Sequence, residues 1–130
     1  MRKVLFVSIL CLIAFISSAQ TIQRVTSMEF HTQLDSLKKT ESLIIIDGRG
    51  KGKYGEGHIL GAVNVDAYSD DVTTQLMKYM NTKTIVVYCM ENTRSEAIIQ
   101  ALKEIQYQGV IIDITDGYTG WTGNNLPVEK

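Results

Sequence analysis

The chain has 130 residues, of which 45% are hydrophobic and 21% charged, with a formal net charge of −1. This composition fits one ordinary globular domain and excludes intrinsic disorder. Thirteen basic against fourteen acidic residues leave no electrostatic footprint for nucleic acid or an anionic membrane surface.

The first segment reads as a leader. Arg2 and Lys3 precede an apolar run from Val4 to Ile16, and Ser17-Ser18-Ala19 follows, with small residues where a signal peptidase reads. The run falls short of the about 20 apolar residues that span a bilayer, so cleavage after Ala19 is expected in place of an uncleaved anchor. Residues 1–19 are thus set apart as a signal peptide and residues 20–130 as a single domain. That domain is expected to be exported, periplasmic or secreted, with no stable membrane association after leader cleavage. Cys11 falls in the discarded segment. Removing 19 residues from 130 leaves 111, with 11 basic and 14 acidic side chains, a net charge of −3 and one cysteine, Cys89.

Beyond the leader, Ser27 is the expected N-cap of a helix over Met28 to Leu37, with Phe30, Leu34 and Leu37 on one face. Leu43 to Ile46 is a short, wholly apolar run that suits a strand buried on both sides. Asp47 to Gly57, rich in Gly and Lys, reads as a loop. Ala62 to Val65 is a strand candidate, Val72 to Met80 a helix with Leu76, Met77 and Met80 inward, and Ile85 to Tyr88 a third, β-branched strand. A helix from near Thr93 carries Ala97, Ile98, Ala101 and Leu102 at helical spacing, and Gly109 is its expected stop. Val110 to Ile114 supplies one more strand. Gly117, Gly120, Gly123 and Pro127 then mark a looped C-terminal region with room for one short helix. Strands alternating with helices imply an α/β fold, a small parallel sheet covered on both faces. Its functional site is expected beyond the strand carboxyl ends, where Asp47, Asp66 and Cys89 should meet on one rim.

Cys89 stands on the turn between the strand ending at Tyr88 and the helix that begins near Thr93. Unpaired N–H groups and the positive end of the helix dipole favour a thiolate at such a place, and equally any small anion. On spacing alone it could as well be an ordinary core cysteine, a residue type that is often buried. Two features favour use over packing. The residues that follow are polar and loop-forming and include Arg94, five positions on, and an unpaired thiol in an oxidising compartment is a liability unless it is used. His31, His58 and Cys89 are the only soft metal ligands beyond the leader and none forms a close pair, so no metal is expected.

The six-residue turn from Cys89 to Arg94 resembles the active loop of the rhodanese sulfurtransferases. Protein tyrosine phosphatases close a similar loop that is one residue longer, and here that next residue is Ser95. The resemblance extends to Ile46-Asp47-Gly48-Arg49, to Gly57-His58-Ile59 with Gly61-Ala62-Val63-Asn64, and to Gly117-Tyr118-Thr119-Gly120-Trp121 with Leu126-Pro127-Val128. Four such motifs in family order cover nearly the whole chain after the leader and identify a single rhodanese-like domain, a small, mostly parallel sheet flanked by helices on both faces. The resemblance implies a sulfurtransferase that carries a persulfide on Cys89. A small sulfur donor such as thiosulfate loads it, and cyanide or a thiol, small or on a partner protein, unloads it. No cofactor is implied.

Within that family, backbone N–H groups of Met90, Glu91, Asn92, Thr93 and Arg94 would hold the substrate sulfur, with Arg94 bracing the loop. Lys53 stands where some thiosulfate-using members place an arginine that contacts the donor; it is read as substrate-binding, with a solvated loop charge as the alternative. Asp47 and Arg49 are expected to form a structural ion pair. His58 is expected to be structural in place of a general base, and Trp121 a packing residue. Departures from the family pattern are Leu60 for a common Pro, Met90 where the loop is often basic, and Asn92 where it is often Gly. Glu91 adds a negative charge beside the sulfur, which disfavours a dianionic donor. A sulfur-carrier or redox-interaction module with little small-molecule turnover is the rival reading, and a phosphatase is disfavoured by the loop length.

Overall fold

The computed structural model describes residues 20–130. The expected signal peptide and Cys11 lie outside the described residues. Five strands form the main sheet: β1 (Ile22–Val25), β2 (Leu43–Asp47), β4 (Val63–Asn64), β5 (Thr84–Tyr88) and β6 (Val110–Ile114), in the order β1-β6-β5-β2-β4 and parallel throughout. A second, two-stranded antiparallel ribbon joins β3 (His58–Ile59) to β7 (Val128–Glu129). The helices are α1 (Ser27–Thr40), α2 (Lys51–Glu56), α3 (Val72–Leu76), α4 (Thr93–Glu104) and α5 (Gly117–Gly123). Among the described residues no helix is long and apolar enough to cross a membrane.

The period of two along the strands divides the core. Ile46 of β2, Ile85 and Val87 of β5 and Ile111 of β6 face Leu76 of α3 and Ile98, Ile99 and Leu102 of α4. Ile45, Val86, Tyr88, Ile112 and Ile114 face the other way, onto Phe30 and Leu34 of α1 and Trp121 of α5. Helices therefore cover both faces, as a parallel sheet requires. β5 lies mid-sheet with all five residues buried, and its register brings Tyr88 beside Asp47. Cys89 thus leaves the most enclosed strand at the carboxyl rim.

Several boundaries differ from those the sequence suggests. The N-cap of α1 is Thr26, whose hydroxyl accepts from the Glu29 N–H while the Glu29 carboxylate accepts from the Thr26 N–H, a reciprocal capping box. Ser27 is buried and donates instead to Asp116. Asp47 to Gly57 is not all loop: Asp47 closes β2 and Lys51–Glu56 is the short helix α2, despite two glycines that weaken helices. The segment over Val72 to Met80 changes pitch, α3 giving way to a 3-10 turn at Met77–Tyr79. That change turns Met77 outward, 61% exposed, while Leu76 stays buried.

Helix α4 stops at Glu104 and not at Gly109. The Tyr107 N–H reaches the Leu102 carbonyl and the Gln106 N–H the Lys103 carbonyl, with Gln106 at φ 58. That is a Schellman ending with a glutamine in the place glycine usually takes. Gly109 serves a different purpose, since a Cβ there would lie 2.5 Å from the Lys83 carbonyl oxygen. Strands β1, β3 and β7 escaped the sequence reading.

Candidate active site

Cys89 is the one free cysteine among the described residues and is 2% exposed. It lies against a cavity of 240 Å³ lined by Tyr68 and by every residue from Cys89 to Arg94. The loop is folded by contacts with α5. The Cys89 carbonyl accepts from the Tyr118 N–H at 2.8 Å and the Met90 carbonyl from the Thr119 N–H at 3.1 Å. Gly117, at φ +57, is where α5 meets the loop. A Cβ on it would stand 2.5–2.7 Å from the carbonyl oxygens of Met90, Cys89 and Glu91, so both its backbone angle and the close approach call for glycine.

This arrangement sets the direction of the donors. In a trans peptide the carbonyl and the next N–H point oppositely. Carbonyls drawn to α5 therefore turn the N–H groups of Met90, Glu91 and Asn92 away from it. The N–H groups of Thr93, Arg94 and Ser95 belong to the first turn of α4, which has no intrahelical acceptors. Among the described residues none of these six N–H groups meets a protein acceptor. Ser95, buried, donates its hydroxyl to the Asn92 carbonyl at 2.7 Å and holds the turn closed. The loop thus offers six consecutive donors at the positive end of a helix, a setting for a sulfur-borne or other small negative charge.

Arg94 is half-exposed. Its Nη1 is 3.5 Å from Asp66 Oδ1, and its guanidinium lies 4.7 Å from the centre of the Tyr68 ring. The Tyr68 N–H is in turn held by Asp66 Oδ1 at 3.0 Å. Asp66 and Tyr68, on the turn after β4, therefore belong to the rim, with Asp66 acting through Arg94. Tyr68 was not among the residues that sequence reasoning selected. An aromatic residue in a polar turn was the available signal.

Lys53 does not line the Cys89 cavity. It lies on a neighbouring cavity of 390 Å³ that shares Met90 and Arg94 with the first and adds Arg49, Gly50 and Gly52. Its Nζ is 3.3 Å from Glu56, both side chains being well exposed. Below this rim Arg49 is buried on Asp47, Nη2 to Oδ2 at 2.7 Å, and also donates to the Gly57 carbonyl. The Tyr88 hydroxyl donates to the same Asp47 oxygen and accepts from the Ile59 N–H, and burial pushes its ionisation far upward. His58 stacks on Tyr54 at 3.7 Å, with Nδ1 2.9 Å from the Tyr54 carbonyl oxygen. It lines neither cavity. Trp121 is buried against Phe30 and donates its indole N–H to the Pro127 carbonyl. No cluster of metal ligands occurs among the described residues.

Known proteins share this fold. The chain is 30% identical over 88 residues to an uncharacterised protein of Buchnera aphidicola subsp. Baizongia pistaciae, covering 65% of this chain and 59% of that one, so it spans about three fifths of that curated relative. Its fold is similar to a thiosulfate sulfurtransferase of Pseudomonas aeruginosa, with a TM-score of 0.67 and 23% identity over 83% of this chain and 20% of that one. A rhodanese-like domain of an Anabaena protein gives 0.65 and 20% over 86% and 79%. The rhodanese-like domain family matches residues 30–124, and the chain belongs to that family, which includes sulfurtransferases.

Proposed function

We propose that the protein is a sulfurtransferase that carries sulfane sulfur as a persulfide on Cys89. The observation that supports this best is the thiol at the head of a loop, Met90 to Arg94, whose residues line its cavity and whose N–H groups have no protein acceptor, at the start of a 12-residue helix. In the first step the Cys89 thiolate attacks the outer sulfur of a donor; with thiosulfate, the S–S bond to Cys89 forms as the donor S–S bond breaks and sulfite leaves. An acceptor then takes the sulfur, cyanide leaving as thiocyanate or a thiol as a persulfide. Two displacements on one nucleophile give ping-pong kinetics. The loop N–H groups stabilise negative charge on the bound sulfur, as an oxyanion hole does for oxygen. Arg94 braces the loop through Asp66 and Tyr68, and Lys53 stands at the entry on the neighbouring cavity.

The test is mass spectrometry of the protein after exposure to sulfane-sulfur donors. A gain of one sulfur atom, lost on adding cyanide and absent in Cys89→Ser, is expected; an equal gain in the variant defeats the assignment. Persulfide formation without turnover on cyanide or small thiols would instead favour the carrier reading, with a protein thiol as partner. Export rests on the leader alone: protein recovered from its host is expected to begin at or near Gln20 on N-terminal sequencing, and full-length chain held in the membrane would contradict it.

A further inference from the structure

Asp116 stands at the N-cap of α5 and does not cap it. An aspartate in that place ordinarily accepts from the second or third N–H of its own helix, and here those belong to Tyr118 and Thr119. Both are engaged elsewhere, donating to the Cys89 and Met90 carbonyls at 2.8 and 3.1 Å. The Asp116 carboxylate turns instead to the first residue of α1. Its Oδ1 accepts from the Ser27 N–H at 2.7 Å and from the Ser27 hydroxyl at 2.6 Å. Ser27 is buried, and its hydroxyl also lies 3.3 Å from the Gly117 carbonyl oxygen. Its N–H is one that α1 itself leaves without an acceptor, at the positive end of a 14-residue helix.

Two kinds of acceptor therefore compete for the first N–H groups of α5. The loop carbonyls are neutral, whereas the Asp116 carboxylate is charged and adjacent in the chain, and a charged acceptor makes the stronger bond. The backbone records which one is engaged. A capping residue is extended, but Asp116 is at φ −88, ψ −3. Moving it to a capping conformation would swing Gly117 away from the three loop carbonyls it meets. Gly120 gives the carboxylate its room beside α1, since a Cβ there would overlap it.

We infer that Ser27 is a positioning residue for the Cys89 loop. By holding the Asp116 carboxylate against the start of α1, it leaves the Tyr118 and Thr119 N–H groups to the Cys89 and Met90 carbonyls and so keeps the loop's own N–H groups turned away from α5. The consequence for sulfur transfer rests on the persulfide reading of Cys89, while the hydrogen-bond arrangement stands apart from it. Ser27 acts through Asp116, so the harm done by removing its donors should vanish once the carboxylate is also gone.

The test uses two substitutions at Ser27 and one at Asp116. Ser27→Pro removes both donors; position 27 opens α1, where proline fits, and Thr26 before it is already extended at φ −80, ψ 165. The released carboxylate is expected to take the α5 N–H groups. The NMR scalar coupling across the hydrogen bond from the Tyr118 N–H to the Cys89 carbonyl should then be lost. Persulfide formation from thiosulfate, followed by mass spectrometry, is expected to slow about fivefold or more, the population shift that one cap of ordinary strength gives. Ser27→Ala keeps the backbone donor and is expected to move both readings the same way by less, which carries the test should the proline variant not fold. Adding Asp116→Ala to either variant is expected to restore the coupling and the rate, although it removes a further contact between α1 and α5. A role in stability alone would give a further loss. Coupling retained in both single variants, or not restored by Asp116→Ala, overturns the inference, and so does an unchanged rate where the coupling is lost. Coupling lost and restored as expected, with no sulfur added to Cys89 even in the unaltered protein, would overturn the persulfide reading and leave the hold of Ser27 on the loop standing.

Discussion

Asp47 is the residue on which the loops beneath the site converge. Its carboxylate takes the Arg49 N–H at 2.9 Å, the Arg49 guanidinium and the Tyr88 hydroxyl, while its carbonyl accepts from the Asn64 side chain. Asp47, Arg49 and Tyr88 are all buried, and the Arg49 guanidinium lies 4.0 Å from the Tyr118 ring centre. A buried ion pair stabilises little over an apolar pair, but removing one partner strands the other charge. Asp47→Ala is therefore expected to cost about 3–5 kcal/mol in urea unfolding; a cost below about 1 kcal/mol would show that water reaches Arg49 and that the pair supports nothing. The local part of this network is legible in the sequence, since Asp47 and Arg49 are two positions apart. The Tyr88 hydroxyl is not: its partner is 41 residues away, and a tyrosine ending a β-branched run signals only a strand.

At the scale of elements, legibility follows the length of the hydrophobic period. The buried strands β2, β5 and β6 and the helices α1 and α4 carry enough apolar residues to set their type. Strands β3 and β7 have two residues each, too few for any period to show, and they exist through tertiary pairing; β4 is as short but falls within the Ala62 to Val65 run that the sequence marks as a strand. Helix α2 is held in the same way, its Tyr54 hydroxyl donating to the Ala62 carbonyl. The Cys89 loop is legible because it is continuous in the chain, whereas Asp66 and Tyr68 reach it from another turn. Gly117 joins the two kinds of information, being visible as a glycine but not as the seat of three carbonyls. Gly117→Ala is expected to lose about 1–2 kcal/mol from the left-handed backbone alone. Pushing those carbonyls aside should also misdirect the loop donors, so persulfide formation on Cys89 is expected to slow even at temperatures where far-UV circular dichroism shows the variant folded. Normal formation in a folded Gly117→Ala protein would mean that α5 does not set the loop.

For the whole molecule, two tyrosines mark how firmly the sheet's far end and rim are closed to water. The Tyr107 hydroxyl donates to the Thr82 carbonyl at 2.7 Å behind the start of β5, and burial pushes its ionisation up to about 12. Burial moves Tyr88 in the same direction. An unfolded chain ionises its tyrosines near about 10, so above that pH the unfolded state has lost protons that the folded state keeps. Stability is then full below about pH 10 and falls as the pH rises toward 12. Each retained proton contributes a slope of about 1.4 kcal/mol per pH unit in that window. Tyr107→Phe removes one such proton together with the hydrogen bond to Thr82. The variant is expected to be less stable than the unaltered protein by about 1 kcal/mol near neutral pH. Between about pH 10 and 12 its stability should fall less steeply with pH, so that the two curves converge. Urea unfolding at a series of alkaline pH values measures both slopes. Parallel curves would mean that the Tyr107 hydroxyl ionises as freely in the folded chain as in the unfolded one, and that the end of the sheet opposite Cys89 is open to solvent.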